Sequence, residues 1–243
     1  MQTISEAKPF QFKQFSLLQD RCSMKVGTDG ILLGAWSDTT GAANVLDIGT
    51  GTGLIAIMVA QRAPGATIHA VEIDDEACNQ AMENMRNAPW ADHLTCFHTA
   101  VQDFAKQTRQ RYDLIVSNPP FFSGGTFSSS QDKTSVRHTV KLPHGDLLSA
   151  VRPLLAPDGR FCVILPQMEG LRFREMAVNY GIFCSRMVEI LPKPGKSVER
   201  LLLQFELNTK PMEKSQLMIR DGDGADDWTP AFRELTGAYY LNL

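Results

Sequence analysis

The residues best suited to chemistry are Asn118-Pro119-Pro120-Phe121, which close the apolar run of "YDLIVSN". Proline fixes φ and carries no N–H. A residue that precedes proline is held extended. Asn118 and Pro119 both precede one, so the Asn118 side chain and the Pro119 carbonyl have few directions available. Two acceptors held this way suit a planar primary amine, whose lone pair is delocalised and poorly nucleophilic. Accepting its two hydrogens on Asn118 Oδ1 and Pro119 C=O favours a pyramidal nitrogen, with the lone pair free to meet an electrophilic methyl group. Such an arrangement stabilises the transition state by preorganised dipoles, with no strong general base. Phe121 offers a flat apolar face for a nucleobase taken out of its stack. The alternative is a plain β-turn with Phe121 and Phe122 in the core.

A second group lies in "VLDIGTGTG", with Asp47, Gly49, Thr50, Gly51 and Gly53 between an apolar strand and a helix. Glycines there let the backbone turn tightly and approach a ligand. In open α/β sheets ligands bind at the carboxyl ends of the strands. The spacing is G-x-G-x-G rather than the G-x-G-x-x-G of dinucleotide folds. Asp47 would repel a phosphate and attract a cationic amino group. Glu72, followed by Ile73 at the end of "ATIHAVEID", can accept from both hydroxyls of a ribose. An amino-acid end and a ribose on one ligand point to S-adenosylmethionine as cofactor. The competing reading is a glycine turn with no ligand. Asp103, in "TAVQDF", is the nearest acid for an adenine edge, and equally a helix N-cap or a solvent-facing residue.

These groups need strands to hold them. "ANVLDIG", "ATIHAVEID", "LTCFHTA", "YDLIVSN" and "RFCVILP" read as strands, separated by the helical "LIAIMVAQRA", "DEACNQAMENMRNA" and "LPHGDLLSAVRPLL". Alternation of this kind predicts an α/β fold: a mostly parallel sheet with helices on both faces. "EGLRFREMAVNYG" is a further helix with Gly181 as its C-cap. "IFCSRMVEIL" and "VERLLLQFEL" have no helix between them and predict an antiparallel edge. "FQFKQFSLLQD" fits a small hairpin. The 243 residues are expected to form one domain, 1–243, with 1–40 an extension that closes the pocket and 41–243 the core.

Composition narrows the function class. The chain is 43% hydrophobic and 21% charged, which suits a globular core. No apolar run is long enough to span a bilayer, and "MQTISEAKPFQF" has no signal-peptide pattern. Five dispersed cysteines without a C-x-x-C pair argue against a disulfide framework or a metal site, and for a cytoplasmic location. A net charge of −3 gives no global case for nucleic acid, though a local basic patch stays open.

Taken in order, "VLDIGTGTG", "VEID" and "NPPF" resemble the class I S-adenosylmethionine-dependent methyltransferases that act on amines. The block "KQFSLLQDRCSMKVGTDGILLGAW" and the ending "LMIRDGDGADDWTPAFRELTGAYYL" are similar to the bacterial tRNA adenine-N6 methyltransferases that modify the adenosine beside the anticodon of one valine tRNA. The resemblance implies a Rossmann-like, seven-stranded sheet with its last strand antiparallel, and S-adenosylmethionine as cofactor. It implies that Asp47, Gly49 and Gly51 line the methionine end, that Glu72 takes the ribose, and that Asn118 to Phe121 hold the target adenine. Lys25 and Thr28 would lie beside the cofactor, and Asp29 beside the incoming base. The family's acid after the third strand is replaced here by Ala100, so backbone groups around Val101 compete with Asp103 for the adenine. A tRNA partner needs basic surface. Arg186, Lys193, Lys196 and Arg200, with Arg137 and Lys141, are the candidates, while the acidic "DGDGADD" should face away from RNA. A monomer is expected. Three alternatives remain: a glutamine-N5 protein methyltransferase, which usually carries a helical domain in front; a guanine-N2 ribosomal RNA methyltransferase; and a non-catalytic RNA-binding module.

Overall fold

In the computed structural model of the chain, which describes residues 8–120, 142–224 and 226–242, strands and helices alternate as the sequence predicts. The chain opens with the expected hairpin, β1 (Phe10–Gln11) against β2 (Ser16–Leu17), then α1 (Thr28–Trp36). There follow β3 (Asn44–Ile48), α2 (Leu54–Arg62), β4 (Thr67–Glu72), α3 (Asp75–Arg86), β5 (Leu94–His98), α4 (Val101–Gln107) and β6 (Tyr112–Ser117). The second half holds α5 (His144–Leu154), β7 (Leu155–Pro166), α6 (Gln167–Val178), β8 (Phe183–Leu191), β9 (Arg200–Glu206), β10 (Glu213–Met218) and α7 (Pro230–Thr236).

Local chemistry sets the helix ends. Asp74 caps α3, its carboxylate accepting from Ala77 N–H at 2.9 Å. Thr229 Oγ1 caps α7 by accepting from Phe232 N–H at 3.1 Å, with Pro230 in the first turn. Behind α6, Gly181 takes φ +66°, and Ile182 N–H returns to Ala177 C=O at 3.1 Å, so this glycine ends the helix as expected.

The main sheet has the order β10-β8-β9-β7-β6-β3-β4-β5. It holds eight strands where seven were expected. The antiparallel member is β9, and it lies inside, between β7 and β8, rather than at the edge. The edge is β10, which runs parallel to β8. Its sequence, "EKSQLM", has no apolar alternation, because an edge strand with exposed faces needs none. Lys214 on β10 pairs with Glu189 on β8 at 2.6 Å, and Gln216 donates to the same carboxylate at 2.8 Å. A charged edge of this kind resists further strand pairing.

Each face of the sheet carries its own apolar cluster. One gathers α1, α2 and α7 with Phe12, Phe15 and Leu17 from the N-terminal arm. The other gathers α4, α5 and α6. The N-terminal residues are thus part of a core layer. Polar side chains of α3 hold the arm: Asn84 Oδ1 accepts from Leu18 N–H at 2.9 Å, and its Nδ2 donates to Leu18 C=O and Thr52 C=O, both at 2.8 Å. Gln80 Oε1 accepts from Arg21 N–H at 2.8 Å. Asn84 therefore joins the arm to the glycine loop. Replacing it with Ala strands buried main-chain groups, and chemical denaturation should report a loss of about 1–3 kcal/mol; unchanged stability would mean that water takes over these bonds.

Candidate active site

Sheet register brings the predicted residues together. β3 lies between β4 and β6, with Ile48 opposite Val71 on one side and Ser117 on the other. The residues that follow, Gly49, Glu72 and Asn118, therefore emerge side by side at the carboxyl ends of three neighbouring strands. The β3/β6 boundary is also where the strand order reverses, the place where α/β sheets open a crevice. A cavity of about 400 Å³ lies there, lined by Gly49, Thr50, Gly51, Thr52, Leu54 and Ile55 below, by Met24, Lys25 and Gly27 to Gly30 from the arm and α1, and by Asn118.

Gly49, Gly51 and Gly53 all have positive φ, at +70°, +57° and +84°. A Cβ on Gly49 or Gly51 would meet no protein atom within 4 Å, so the loop leaves open space where side chains would otherwise stand. Asp47 is fully buried behind this loop rather than on the cavity wall. Its Oδ2 accepts from Thr50 Oγ1 at 2.6 Å and Ala56 N–H at 3.2 Å, while Oδ1 is buried with no hydrogen-bond partner. Burial pushes this carboxyl up to about 7, against the two hydrogen bonds and helped by the nearby Glu72. Glu72 is held by main-chain donors: Oε2 accepts from Gly51 N–H at 2.9 Å, and Oε1 from Ile73 and Asp74 N–H at 2.9 and 3.0 Å. Ile73, beside it, is a large apolar side chain left 43% exposed.

Asn118 sits half-buried on the cavity wall, with Pro119 buried and Pro120 exposed behind it. Its Oδ1 is shielded from solvent and has no partner among the described residues. Its Nδ2 faces Met24 Sδ at 3.9 Å. Lys25 lines the cavity, but its ammonium binds the carbonyls of Gln19 and, at 2.9 Å, Cys22, so it fastens the arm. Thr28 starts α1 on the cavity wall.

Several of the expected RNA contacts have partners within the fold. Asp29 and Arg200 pair with each other at 2.8 Å, because the start of β9 faces the first turn of α1. Lys193 pairs with Asp223, so the acidic loop meets the β8–β9 turn. Arg186 stacks over Trp36 at 4.9 Å and lies 3.9 Å from Glu213. Lys196 is exposed. Asp103 is drawn off as well: α4 turns it outward to pair with Lys106 at 2.9 Å, and Ala100, not Asp103, occupies the cap position. Phe121, Arg137 and Lys141 lie outside the described residues. Met24 is a cavity residue that the sequence reading does not single out. Its signal is membership of the N-terminal block that carries the family resemblance.

Among the described residues, no group of three or more His, Cys, Asp or Glu side chains could hold a metal ion. No helix among them is long and apolar enough to cross a membrane.

The fold and the loop define a class I methyltransferase. Residues 25–165 match the family model described as methyltransferase small domain. Among solved structures, the chain superposes on a protein described as a predicted O-methyltransferase from Agrobacterium tumefaciens, with TM-score 0.65 and 16% identity over 87% of this chain and 96% of that one. A ribosomal protein L11 methylase from Lactobacillus delbrueckii subsp. bulgaricus gives TM-score 0.52 and 17% identity over 73% and 76%. At these identities the likeness speaks for the fold alone. Curated relatives are much nearer. A tRNA1(Val) (adenine(37)-N6)-methyltransferase of Histophilus somni is 41% identical over 241 residues, 99% of this chain and all of the relative. One of Trichodesmium erythraeum is 43% identical over 234 residues, 96% and 97% of the two chains. The chain belongs to the tRNA1(Val) (adenine(37)-N6)-methyltransferase family.

Proposed function

We propose that this chain transfers the methyl group of S-adenosylmethionine to the exocyclic N6 amine of an adenosine in tRNA, the one beside the anticodon of a valine tRNA. The observation that carries this is Asn118 Oδ1: an amide oxygen on the cavity wall, shielded from water, with no partner among the described residues. A buried acceptor left unpaired costs about 1–3 kcal/mol, so a site that keeps one is built for a donor that arrives from outside.

The residues present fit the cofactor. The open space over Gly49 and Gly51 can take the methionine backbone. The orphan Oδ1 of Asp47 gives the loop a negative field for the ammonium group. Glu72, already oriented by three N–H groups, keeps lone pairs for ribose hydroxyls, and Ile73 offers an apolar surface beside it. S-adenosylmethionine supplies an electrophilic methyl group when bound. The protein's part is to hold the amine. Asn118 Oδ1 and Pro119 C=O accept its two hydrogens, which favours a pyramidal nitrogen and directs its lone pair. Once the new bond forms the nitrogen is acidic, and its surplus proton passes to solvent. Phe121 would supply the face on which the adenine lies. Asp103 is left without a cofactor role here, and main-chain groups near Val101 take the adenine edge. With Lys193 and Arg200 already in ion pairs, Lys196 is the preferred phosphate contact on the β8–β9 turn. The setting is cytosolic.

The test is incubation with methyl-labelled S-adenosylmethionine and, separately, tRNA, ribosomal RNA and release factor. Label in tRNA adenosine is expected. Label in ribosomal guanosine or in a glutamine side chain would select the corresponding alternative.

A further inference from the structure

We propose that Met24 is a positioning residue that fixes which way the Asn118 amide points. This rests on Asn118 being the acceptor for the target amine. An amide has two orientations of nearly equal shape. In one its oxygen faces the cavity, and in the other its NH₂ group does. Only the first can accept from an amine. Among the described residues no carbonyl oxygen makes the choice: Asn118 Nδ2 is directed at Met24 Sδ, 3.9 Å away, while Oδ1 has no partner. A thioether accepts weakly and never donates. Turned over, the amide would set its oxygen against sulfur lone pairs and its NH₂ against the incoming NH₂. The sulfur therefore biases the amide toward the productive orientation.

Met24 is held in place for this. It is 47% exposed and lines the cavity, yet the chain on either side is clamped. Lys25 Nζ ties down the carbonyls of Gln19 and Cys22, and Val26 N–H donates to Gln19 Oε1 at 2.8 Å. If Met24 were only an apolar wall, leucine would serve as well, since the two differ little in volume.

Met24→Leu keeps the volume and removes the acceptor. Its kcat should fall about three- to ten-fold, the range of one net hydrogen bond. Its Kd for S-adenosylmethionine and its KM for tRNA should stay within about two-fold of the parent, as befits a loss confined to the transition state. Met24→Gln, which offers Oε1 to the same Nδ2, should recover most of the rate. In an Asn118→Ala background, Met24→Leu should do nothing further. A readout independent of any substrate is the side-chain amide ¹H–¹⁵N signal of Asn118, assigned by its disappearance in Asn118→Ala. It should move in Met24→Leu and stay in place in Met168→Leu, a change at another exposed methionine. A stationary signal, a wild-type kcat in Met24→Leu, or a loss that appears in KM would overturn the proposal. Absence of adenosine methylation by the unaltered protein would instead count against the function, with the amide signal still deciding the role of Met24.

Discussion

Asn118→Ala should bind S-adenosylmethionine nearly as tightly as the parent protein and transfer methyl groups about a hundred- to a thousand-fold more slowly, the usual cost of removing one preorganised polar group at a transition state. The reasons are geometric. Among the described residues the Asn118 side chain holds no element of the fold together, since its one hydrogen bond to them is the weak one to Met24, 94 positions away. Its acceptor serves no other described residue. Removing it relieves an unpaired buried oxygen, so stability should hold or rise slightly. The Pro119 carbonyl remains and can still accept one of the amine's hydrogens, which is why some activity should survive. Calorimetry with the cofactor and single-turnover methyl transfer separate the two effects. A variant with near-normal turnover would remove Asn118 from the mechanism.

The second large effect concerns Asp47. Asp47→Asn keeps an oxygen for Thr50 and Ala56, and so keeps the loop, but it removes the charge. Cofactor affinity should fall about ten-fold or more, as expected when a cationic group loses a desolvated anionic neighbour. Stability should move the other way. The folded carboxyl titrates at about 7 and the ordinary group at 3.8, so the fold favours the protonated form. That contribution is complete below pH 4 and is lost as the pH rises through 7. Above that range the apo protein carries an ionised, desolvated carboxylate at an expense on the order of a few kcal/mol. The amide variant should therefore melt higher than its parent at pH 8, and the gain should vanish towards pH 4. Binding has the matching signature. A cationic ligand selects ionised Asp47, so wild-type affinity should weaken as the pH drops below 7, with a proton released on binding, whereas Asp47→Asn should show neither. Calorimetry at pH 6 and 8 in buffers of different ionisation enthalpy measures both. A variant with unaltered affinity would show that this carboxylate serves the loop alone.

What was legible in the sequence was what one strand and its next few residues decide. β3, β4 and β6 are short apolar runs stopped by glycine, acid or proline, and parallel register then brings Gly49, Glu72 and Asn118 together without further information. Features set by contacts distant in the chain were not legible. β10 lacks an apolar face because it lies at an edge. Asn84 and Gln80 look like the polar side of an amphipathic helix until the arm is seen to use them. Ion pairs were hidden for the same reason. Lys193 and Arg200 read as candidate RNA contacts in a line of sequence, and their partners, Asp223 and Asp29, are remote in the chain. Asp103 lies at the right distance from its strand, but α4 rotates it toward Lys106.

The central claim is that this site methylates an exocyclic amine. Its most direct test uses a valine tRNA transcript, methyl-labelled S-adenosylmethionine and the purified protein, followed by nucleoside digestion and mass spectrometry. A second transcript carries purine riboside, which lacks the amine, at the position beside the anticodon. The prediction is N6-methyladenosine in the first transcript, at that position, and no label in the second. Label on a ring nitrogen, on another nucleoside, or on the transcript without the amine would contradict it.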